Sequence, residues 1–230
     1  MSIADKFGII VDRVYEKGVE NTKLAVWNAL TGNGTRTNGV RMFCETDFSD
    51  FTFPKTITIT ASAQHMFYNY KGSKLPRKED ISLAGLTINA GTTTYMYGWC
   101  SNVEYVPDYG LPSAVSYAYA YQNCRNLKEI EMIRTDESTE YNNSFINCDS
   151  LTNITFDGEI GRDISFQYSP ISVECMKHII SRLKKLSEAE YGKYTIIFNP
   201  YCWEALEADS HSPIGGKWKD YVIDYLGWDA

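Results

Sequence analysis

The chain has 230 residues and a mass of 26.2 kDa, a length that suits one large domain and excludes a chain of several enzymes. With 43% hydrophobic and 22% charged residues, its composition excludes disorder driven by low hydrophobicity and high charge. The net charge of -7 disfavours nucleic acid as a partner, because no overall positive field is available to attract phosphates.

No apolar stretch approaches the length of a membrane span, and residues 1–14 lack the unbroken apolar core of a signal peptide. We therefore expect a soluble protein that does not insert into a membrane and carries no evident secretion signal. The 17 tyrosines suit large, half-solvated surfaces, since each ring brings apolar area together with a hydroxyl that can stay hydrated.

The first predicted element is an N-terminal helix with apolar residues spaced by 4, 3 and 4 positions: Ile3, Phe7, Ile10 and Val14. A second helical stretch covers residues 21–30. We assign residues 1–39 to a helical attachment or oligomerisation segment, in which a dimer or trimer is one outcome. Packing of these helices within the chain, as a cap on the following domain, remains the alternative.

Residues 40–60 have a strand-like composition and are predicted to form an entrance cap for a repeat region that extends to residue 171. Three cysteines in this region, Cys100, Cys124 and Cys148, are spaced 24 residues apart. An aromatic residue stands three positions before each cysteine, and aliphatic residues stand three and six positions after it. Degenerate copies lie at Phe67 and at Phe166. Equal spacing of several matched columns indicates an internal repeat.

A unit of about 24 residues cannot enclose a core alone, so we expect successive copies to stack and to add strands to a parallel sheet. The strand pattern predicts that Ile130, Met132, Ile154 and Phe156 face inward. The predicted repeat core consists of Cys100, Cys124, Cys148, Leu127, Leu151, Ile130, Ile154 and Phe156. We interpret the cysteine column as a buried, softly hydrophobic ladder; bridging or metal binding between stacked thiols is the less favoured alternative.

The third copy, running from Phe145 through Cys148, Leu151 and Ile154 to Phe156, resembles the short leucine-rich repeats of the BspA-like type. The whole chain resembles leucine-rich-repeat proteins encoded by phages and prophages of gut bacteria. The segments that carry this second resemblance are Asn33, Gly34, Arg36 and Asn38, then Ser169, Pro170, Ile171 and Ser172, and finally Gly227 and Trp228. The resemblance implies an α/β fold, a leucine-rich-repeat solenoid with a parallel β-sheet, and a place in the virion.

Residues 172–230 are predicted to form an α/β C-terminal cap. A helix begins near Ser172 and extends to about residue 186, a strand covers Thr195 to Phe198, and two short helices follow between residues 201 and 226.

Few residues in the sequence suggest catalysis. Cys175 and His178 lie one helical turn apart, and together with Cys202 and His211 they could in principle bind zinc, but closely spaced ligand pairs are missing from the second half. Phosphate-binding glycine loops, calcium loops and a nucleophile triad are likewise not recognised. We predict a non-enzymatic protein without a metal or cofactor.

The residues predicted to contact a partner lie on the outer face of the sheet and among the tyrosines of the repeats. They are Tyr105, Tyr117, Tyr119, Glu129, Glu131, Asn153, Thr155 and Asp157. The leading hypothesis is a phage virion component, in the tail, the baseplate or a head-attached fibre, that contacts other virion proteins or a host-surface glycan or protein. A bacterial cell-surface adhesin or interaction module is the alternative, and a carbohydrate-active enzyme is a third, less favoured possibility.

Overall fold

A computed structural model describes residues 35–49, 57–75, 86–112 and 116–230. This part of the chain is a mixed α/β fold with small parallel sheets. The predicted N-terminal helix containing Ile3, Phe7, Ile10 and Val14, and the second helix at 21–30, lie outside the described residues. Within the described residues, no helix combines the length and the apolar character that crossing a bilayer requires.

The strands form three parallel sheets among the described residues. The first sheet contains β1 (Thr35–Asn38), β2 (Ile57–Ser62) and β3 (Leu86–Ile88). The second contains β4 (Tyr105–Val106), β5 (Glu129–Thr135) and β6 (Asn153–Gly158). The third pairs β7 (Ile164–Phe166) with β8 (Ile196–Phe198). Since β1 pairs with β2, the sheet structure starts before residue 40, inside the segment 1–39 that the sequence had assigned to helical attachment or oligomerisation.

The strand register of the second sheet follows the 24-residue interval of the sequence. Glu129 pairs with Asn153, and Ile130 pairs with Ile154. The register then shifts, so that Ile133 lies opposite Phe156. This bulge corrects the prediction for Met132: the extra residue in β5 leaves Met132 partly exposed and turns Ile133 into the core.

The core is organised around a continuous stack of seven buried aromatic rings, which we call the inner ring column. Centroids of neighbouring rings lie 4.8–5.6 Å apart, and their planes diverge by at most 27°. The column consists of Phe43, Phe67, Tyr97, Tyr121, Phe145, Phe166 and Phe198. Phe43 and Phe198 extend it beyond the copies that the sequence pattern had included.

Each of the first five rings sits in a tight turn, and each of the first four of these turns donates backbone hydrogen bonds to the turn of the next copy. The amides of Tyr95, Tyr97 and Trp99 donate to carbonyl oxygens 23 residues further on, at 3.1, 2.8 and 2.7 Å. Two residues of every turn have positive φ, four positions apart. These residues are Arg41, Glu45, His65, Asn69, Tyr95, Trp99, Tyr119, Asn123, Asn143 and Asn147.

The cysteine column lies beside the inner ring column. The Cys124 thiol donates to the Tyr97 carbonyl oxygen at 3.0 Å, and the Cys148 thiol donates to the Tyr121 carbonyl oxygen at 3.1 Å. All eight residues of the predicted repeat core are buried, and the cysteines are free thiols. Burial raises the pKa of Cys100 and Cys148 well above the ordinary thiol value, so these groups are protonated at neutral pH.

Two helices dominate the C-terminal segment: α1 (Val173–Ser181) and α2 (Pro200–Asp209). The side chain of Ser172 caps α1 by accepting a hydrogen bond from the Cys175 amide, in agreement with the predicted helix start. A 3-10 turn at Glu188–Glu190, the short helix α3 (Trp218–Asp220) and a π-helical turn at Tyr221–Tyr225 complete the segment. Buried Trp228 anchors the end of the chain by donating from its indole nitrogen to the Lys184 carbonyl oxygen at 2.7 Å.

Helix α1 occupies the edge of the second sheet, next to β6. The Ile154 amide donates to Cys175 Sγ at 3.2 Å, and the Phe156 amide donates to His178 Nε2 at 2.9 Å. Two side chains of one helix thus satisfy strand amides that would otherwise lack a partner. The edge of β6 is therefore closed to pairing with another strand along these residues.

Since His178 Nε2 is an acceptor, we expect acid to weaken this edge. Burial and the nearby charge of Arg182 lower the pKa of His178 below its ordinary value of 6.5. As the pH falls through 6.5, His178 becomes protonated in the unfolded chain but stays neutral in the folded chain. The stabilisation from His178 is complete above pH 6.5 and therefore decreases as the pH falls below that value. Urea unfolding at pH 7.5 and pH 5.5 measures the loss.

His178→Gln is the matched variant for this titration, because it removes the imidazole. We expect the variant to lose less stability than wild type between the two pH values. The pKa of His65 is also lowered, by burial and by the charge of Arg41, and this contribution is common to both proteins. An equal pH dependence in wild type and variant would contradict the assigned role of His178.

Candidate binding surfaces

Three of the predicted contact residues come together on the outer face of the second sheet. Glu129, Asn153 and Thr155 are exposed and line a shallow pocket of about 210 Å³ against α1. Cys175 and His178 close its other side. Asp157 is exposed on the same strand but lies outside the lining of this pocket. We call this feature the sheet pocket.

The sheet pocket offers polar contacts and little reactivity. Burial raises the pKa of Cys175 to about 11, so its sulfur is a thiol at neutral pH and a poor nucleophile. The Nε2 lone pair of His178 already accepts the Phe156 amide and is not free to act as a base. Glu129, Asn153 and Thr155 remain as exposed hydrogen-bonding groups.

Tyr105 and Glu131, two further predicted contact residues, are instead bound to each other. The Tyr105 hydroxyl donates to Glu131 Oε2, and the Asp108 amide donates to the same oxygen at 2.9 Å. The Asp108 carboxylate in turn receives two hydrogen bonds from Arg134, both 2.7 Å long. This network fastens the 105–111 segment to β5, so both side chains serve the fold.

Tyr117 was predicted to be a surface residue, and this prediction is wrong. Its side chain is fully buried and stacks between Tyr121 and Tyr141. Simple alternation would place Tyr117, Tyr119 and Tyr121 on one side. Positive φ at Tyr119 breaks the alternation, so Tyr119 points outward while its two neighbours point into the core.

Burial leaves the Tyr117 hydroxyl without a hydrogen-bond partner among the described residues. Since an unsatisfied buried hydroxyl costs stability, we expect Tyr117→Phe to raise the free energy of unfolding by about 1 kcal/mol. Tyr141→Phe is the matched control, because the Tyr141 hydroxyl bonds to Thr135 Oγ1, and we expect it to lower stability by about 1 kcal/mol. Urea unfolding of both variants measures the contrast, and changes of the same sign would contradict it.

Tyr119 belongs to a second, half-exposed stack that the sequence pattern did not reveal. His65, Tyr95 and Tyr119 occupy the first positive-φ position of successive turns, and we call them the outer ring ladder. The rings of His65 and Tyr95 lie 5.1 Å apart and 8° from parallel, and those of Tyr95 and Tyr119 lie 4.6 Å apart and 4° from parallel. The sequence feature that could have predicted this stack is the aromatic residue that recurs five positions before Cys100 and Cys124.

Two more rings widen this surface. Tyr68 contacts His65 and Tyr95 edge-on, at 5.3 and 6.3 Å between centroids. Trp99, with 39% of its surface exposed, lies 5.4 Å from Tyr68. Gly98 leaves room for the Tyr68 ring, which would lie 3.3 Å from a Cβ at that position. The result is an aromatic surface built on a regular hydrogen-bonded backbone.

The outer ring ladder ends in a groove of about 450 Å³, which we call the end groove. Its walls come from four segments of the chain: the turn that carries Tyr119, the next turn, and the residues in and directly before the strands β7 and β8. The lining residues are Tyr119, Tyr141, Asn142, Asn143, Asp163, Ile164, Ser165, Thr195 and Ile197. Of these, only Tyr119 had been predicted to contact a partner.

Three of the four residues named as possible zinc ligands, Cys175, His178 and Cys202, form hydrogen bonds to the backbone. Cys175 and His178 contact the β6 amides, and the Cys202 thiol donates to the Ser169 carbonyl oxygen at 3.7 Å. In the described part of the chain, no group of three potential ligands is placed to hold a metal ion.

Comparison of the chain with protein-family models, curated proteins and solved structures gives no significant match. The functional assignment therefore depends on the residues and surfaces described above.

Proposed function

We propose that this chain is a leucine-rich-repeat solenoid of the BspA-like type that acts as a non-enzymatic binding protein of a phage virion. Support for the fold comes from the 24-residue register between β5 and β6 and from the turns that bond in parallel from copy to copy. Support for the virion comes from the resemblance of the chain to phage- and prophage-encoded repeat proteins.

The observation that carries the binding role is the outer ring ladder. Its rings stand on turns that are held by backbone hydrogen bonds and stacked above the inner ring column. A surface already ordered in the free protein loses little conformational entropy on contact, which favours binding. Aromatic rings with one apolar face and a polar edge are common anchors in such surfaces.

A binding role also agrees with the chemistry of the core. The buried thiols of Cys100 and Cys148 have raised pKa values, and the imidazole of His178 accepts a hydrogen bond from a strand amide. A nucleophile needs the opposite conditions, namely a lowered pKa or an adjacent free base. The side chains best placed to meet another molecule are the surface rings and the polar groups around them.

Mass spectrometry of purified virions tests the assignment. We expect this chain to copurify with the major capsid protein at constant stoichiometry through a density gradient, while an early, non-structural phage protein is lost. Absence from virions, combined with surface labelling of the chain on bacterial cells, would replace the proposal with the alternative of a bacterial cell-surface adhesin.

A further inference from the structure

We infer that the end groove binds a neutral sugar ring stacked on the side chain of Tyr119. The inference rests on the proposed binding function and names the class of ligand and the site. It follows from how the outer ring ladder ends, from the groups that line the groove, and from the backbone conformation that holds the ring in place.

The ladder stops where the repeat places an asparagine. His65, Tyr95 and Tyr119 are the first three rings, and Asn143 occupies the equivalent position of the next turn, also with positive φ. One face of Tyr119 is covered by Tyr95 at 4.6 Å, and the side chain borders the end groove beyond it. A flat ligand can therefore occupy the place that a fourth ring would fill.

The lining of the groove supplies the hydrogen-bonding groups that a sugar needs. Asn142 and Asn143 are exposed and offer amide donors and acceptors, while Ser165 offers a hydroxyl. Asp163, also exposed, accepts the Thr195 amide through Oδ1 at 2.8 Å, which orients its carboxylate. A pyranose presents C–H groups to the electron-rich face of a ring and hydroxyls around its rim, so it matches this lining.

The charge of the groove lining favours neutral sugars over acidic ones. No cationic side chain is among the described residues that line the groove, and Asp163 contributes a negative charge to it. The chain as a whole has a net charge of -7. A sialylated, sulfated or uronic ligand would meet repulsion here without a compensating partner.

The backbone provides a further argument. Tyr119 has a φ of 57°, a region in which asparagine is favoured and large aromatic residues are uncommon. Asparagine occupies such positions at 69, 123, 143 and 147, so the turn itself does not require an aromatic residue. An aromatic ring at Tyr119, where the ladder borders the end groove, is therefore explained by contact with a ligand.

A glycan array probed with the full chain tests the inference. The array carries neutral oligosaccharides of glucose, galactose, mannose and N-acetylhexosamines beside sialylated and sulfated glycans. We expect binding to be confined to neutral glycans. Isothermal titration with the strongest neutral oligosaccharide then gives the Kd of wild type and variants.

The variants test separately the contribution of the Tyr119 ring and that of the open space in the end groove. Tyr119→Phe keeps the stacking face and should change the Kd by less than about threefold. Tyr119→Asn, which suits the positive φ, should weaken binding by about tenfold or more. Asn143→Tyr adds a fourth ring that fills the groove and should weaken binding as strongly. Tyr201→Asn is the control, because Tyr201 is 78% exposed on α2 and does not line the groove.

Near-UV circular dichroism and urea unfolding establish that each variant is folded; should Tyr119→Asn unfold, Tyr119→Gly replaces it, since glycine also tolerates the positive φ at this position and removes the ring. Failure of wild type to bind neutral glycans, a preference for acidic glycans, or unchanged affinity in both groove variants would overturn the inference. Detection in virions without glycan binding would leave the proposed function standing and remove only this site.

Discussion

Replacing Phe166 by alanine is expected to lower the free energy of unfolding by about 3–5 kcal/mol, the range observed for large aromatic side chains in cores. Phe166 is fully buried at the end of β7. Its ring lies 4.8 Å from that of Phe145 and 5.4 Å from that of Phe198, and it meets Phe156 edge-on at 6.5 Å. Its loss interrupts the inner ring column where the repeats meet the C-terminal segment.

Urea unfolding followed by circular dichroism measures this effect, and two variants control it. Phe166→Leu keeps most of the apolar volume and should lose less than about 2 kcal/mol. Tyr168→Ala removes a ring that is 47% exposed and should change stability by roughly 0.5 kcal/mol. A loss below about 1 kcal/mol for the Phe166→Ala variant would show that the column is not a unit of the core.

The shape of the unfolding curve also shows whether the repeats and the C-terminal segment unfold cooperatively. If the alanine variant separates the repeats from the C-terminal segment, the unfolding curve becomes two transitions, or its denaturant dependence becomes shallower. We expect a single transition in wild type, because the inner ring column runs without a gap from Phe43 to Phe198.

Gly158→Ala is expected to destabilise the protein by about 3 kcal/mol, through backbone strain and a steric clash together. Gly158 ends β6 with a φ of 113°, a conformation that residues with a side chain rarely adopt. A Cβ at this position would lie 1.9 Å from the Thr135 carbonyl oxygen. The two residues are partners in the β5–β6 register, so relief would require the strands to separate.

Substitutions at two other glycines separate the contribution of backbone strain from that of the steric clash. Gly215 has a φ of 80° but open space around its Cβ direction, so Gly215→Ala should cost about 1 kcal/mol from strain alone. Gly91 also has open space and no positive φ, so Gly91→Ala should be neutral within about 0.5 kcal/mol. Thermal and urea unfolding of the three variants should follow this order, and equal losses at Gly158 and Gly215 would refute the clash.

Both sets of variants bear on binding as well as on stability. The outer ring ladder stands on the same turns that carry the inner ring column, since Tyr119 and Tyr121 are two residues apart and both amides bond to the next turn, at 2.9 and 3.0 Å. A defect in the column should therefore disturb the surface above it. We expect the Phe166 variant to lower affinity for any ligand of the end groove more than Tyr168→Ala does.

The repeated residues of the sequence were sufficient to predict the cysteine column and the central part of the inner ring column. Cys100, Cys124 and Cys148 and the aromatic residues before them recur at equal intervals, and in parallel pairing an equal interval places equivalent side chains beside one another. The start of α1 at Ser172 was equally readable, because a helix cap depends on residues three positions apart. Such features follow from local spacing.

Contacts between distant segments decided the rest. Positive φ at Tyr119 placed its ring at the surface and left Tyr117 in the core, and the bulge in β5 placed Ile133 rather than Met132 in the core, since both depend on hydrogen bonds to neighbouring copies. The end groove exists because Asn143 follows the last outer ring and β7 and β8 pass beside it. The side-chain pattern of one segment does not show which other segments pack against it. The outer ring ladder and the end groove could therefore be identified only from the tertiary structure.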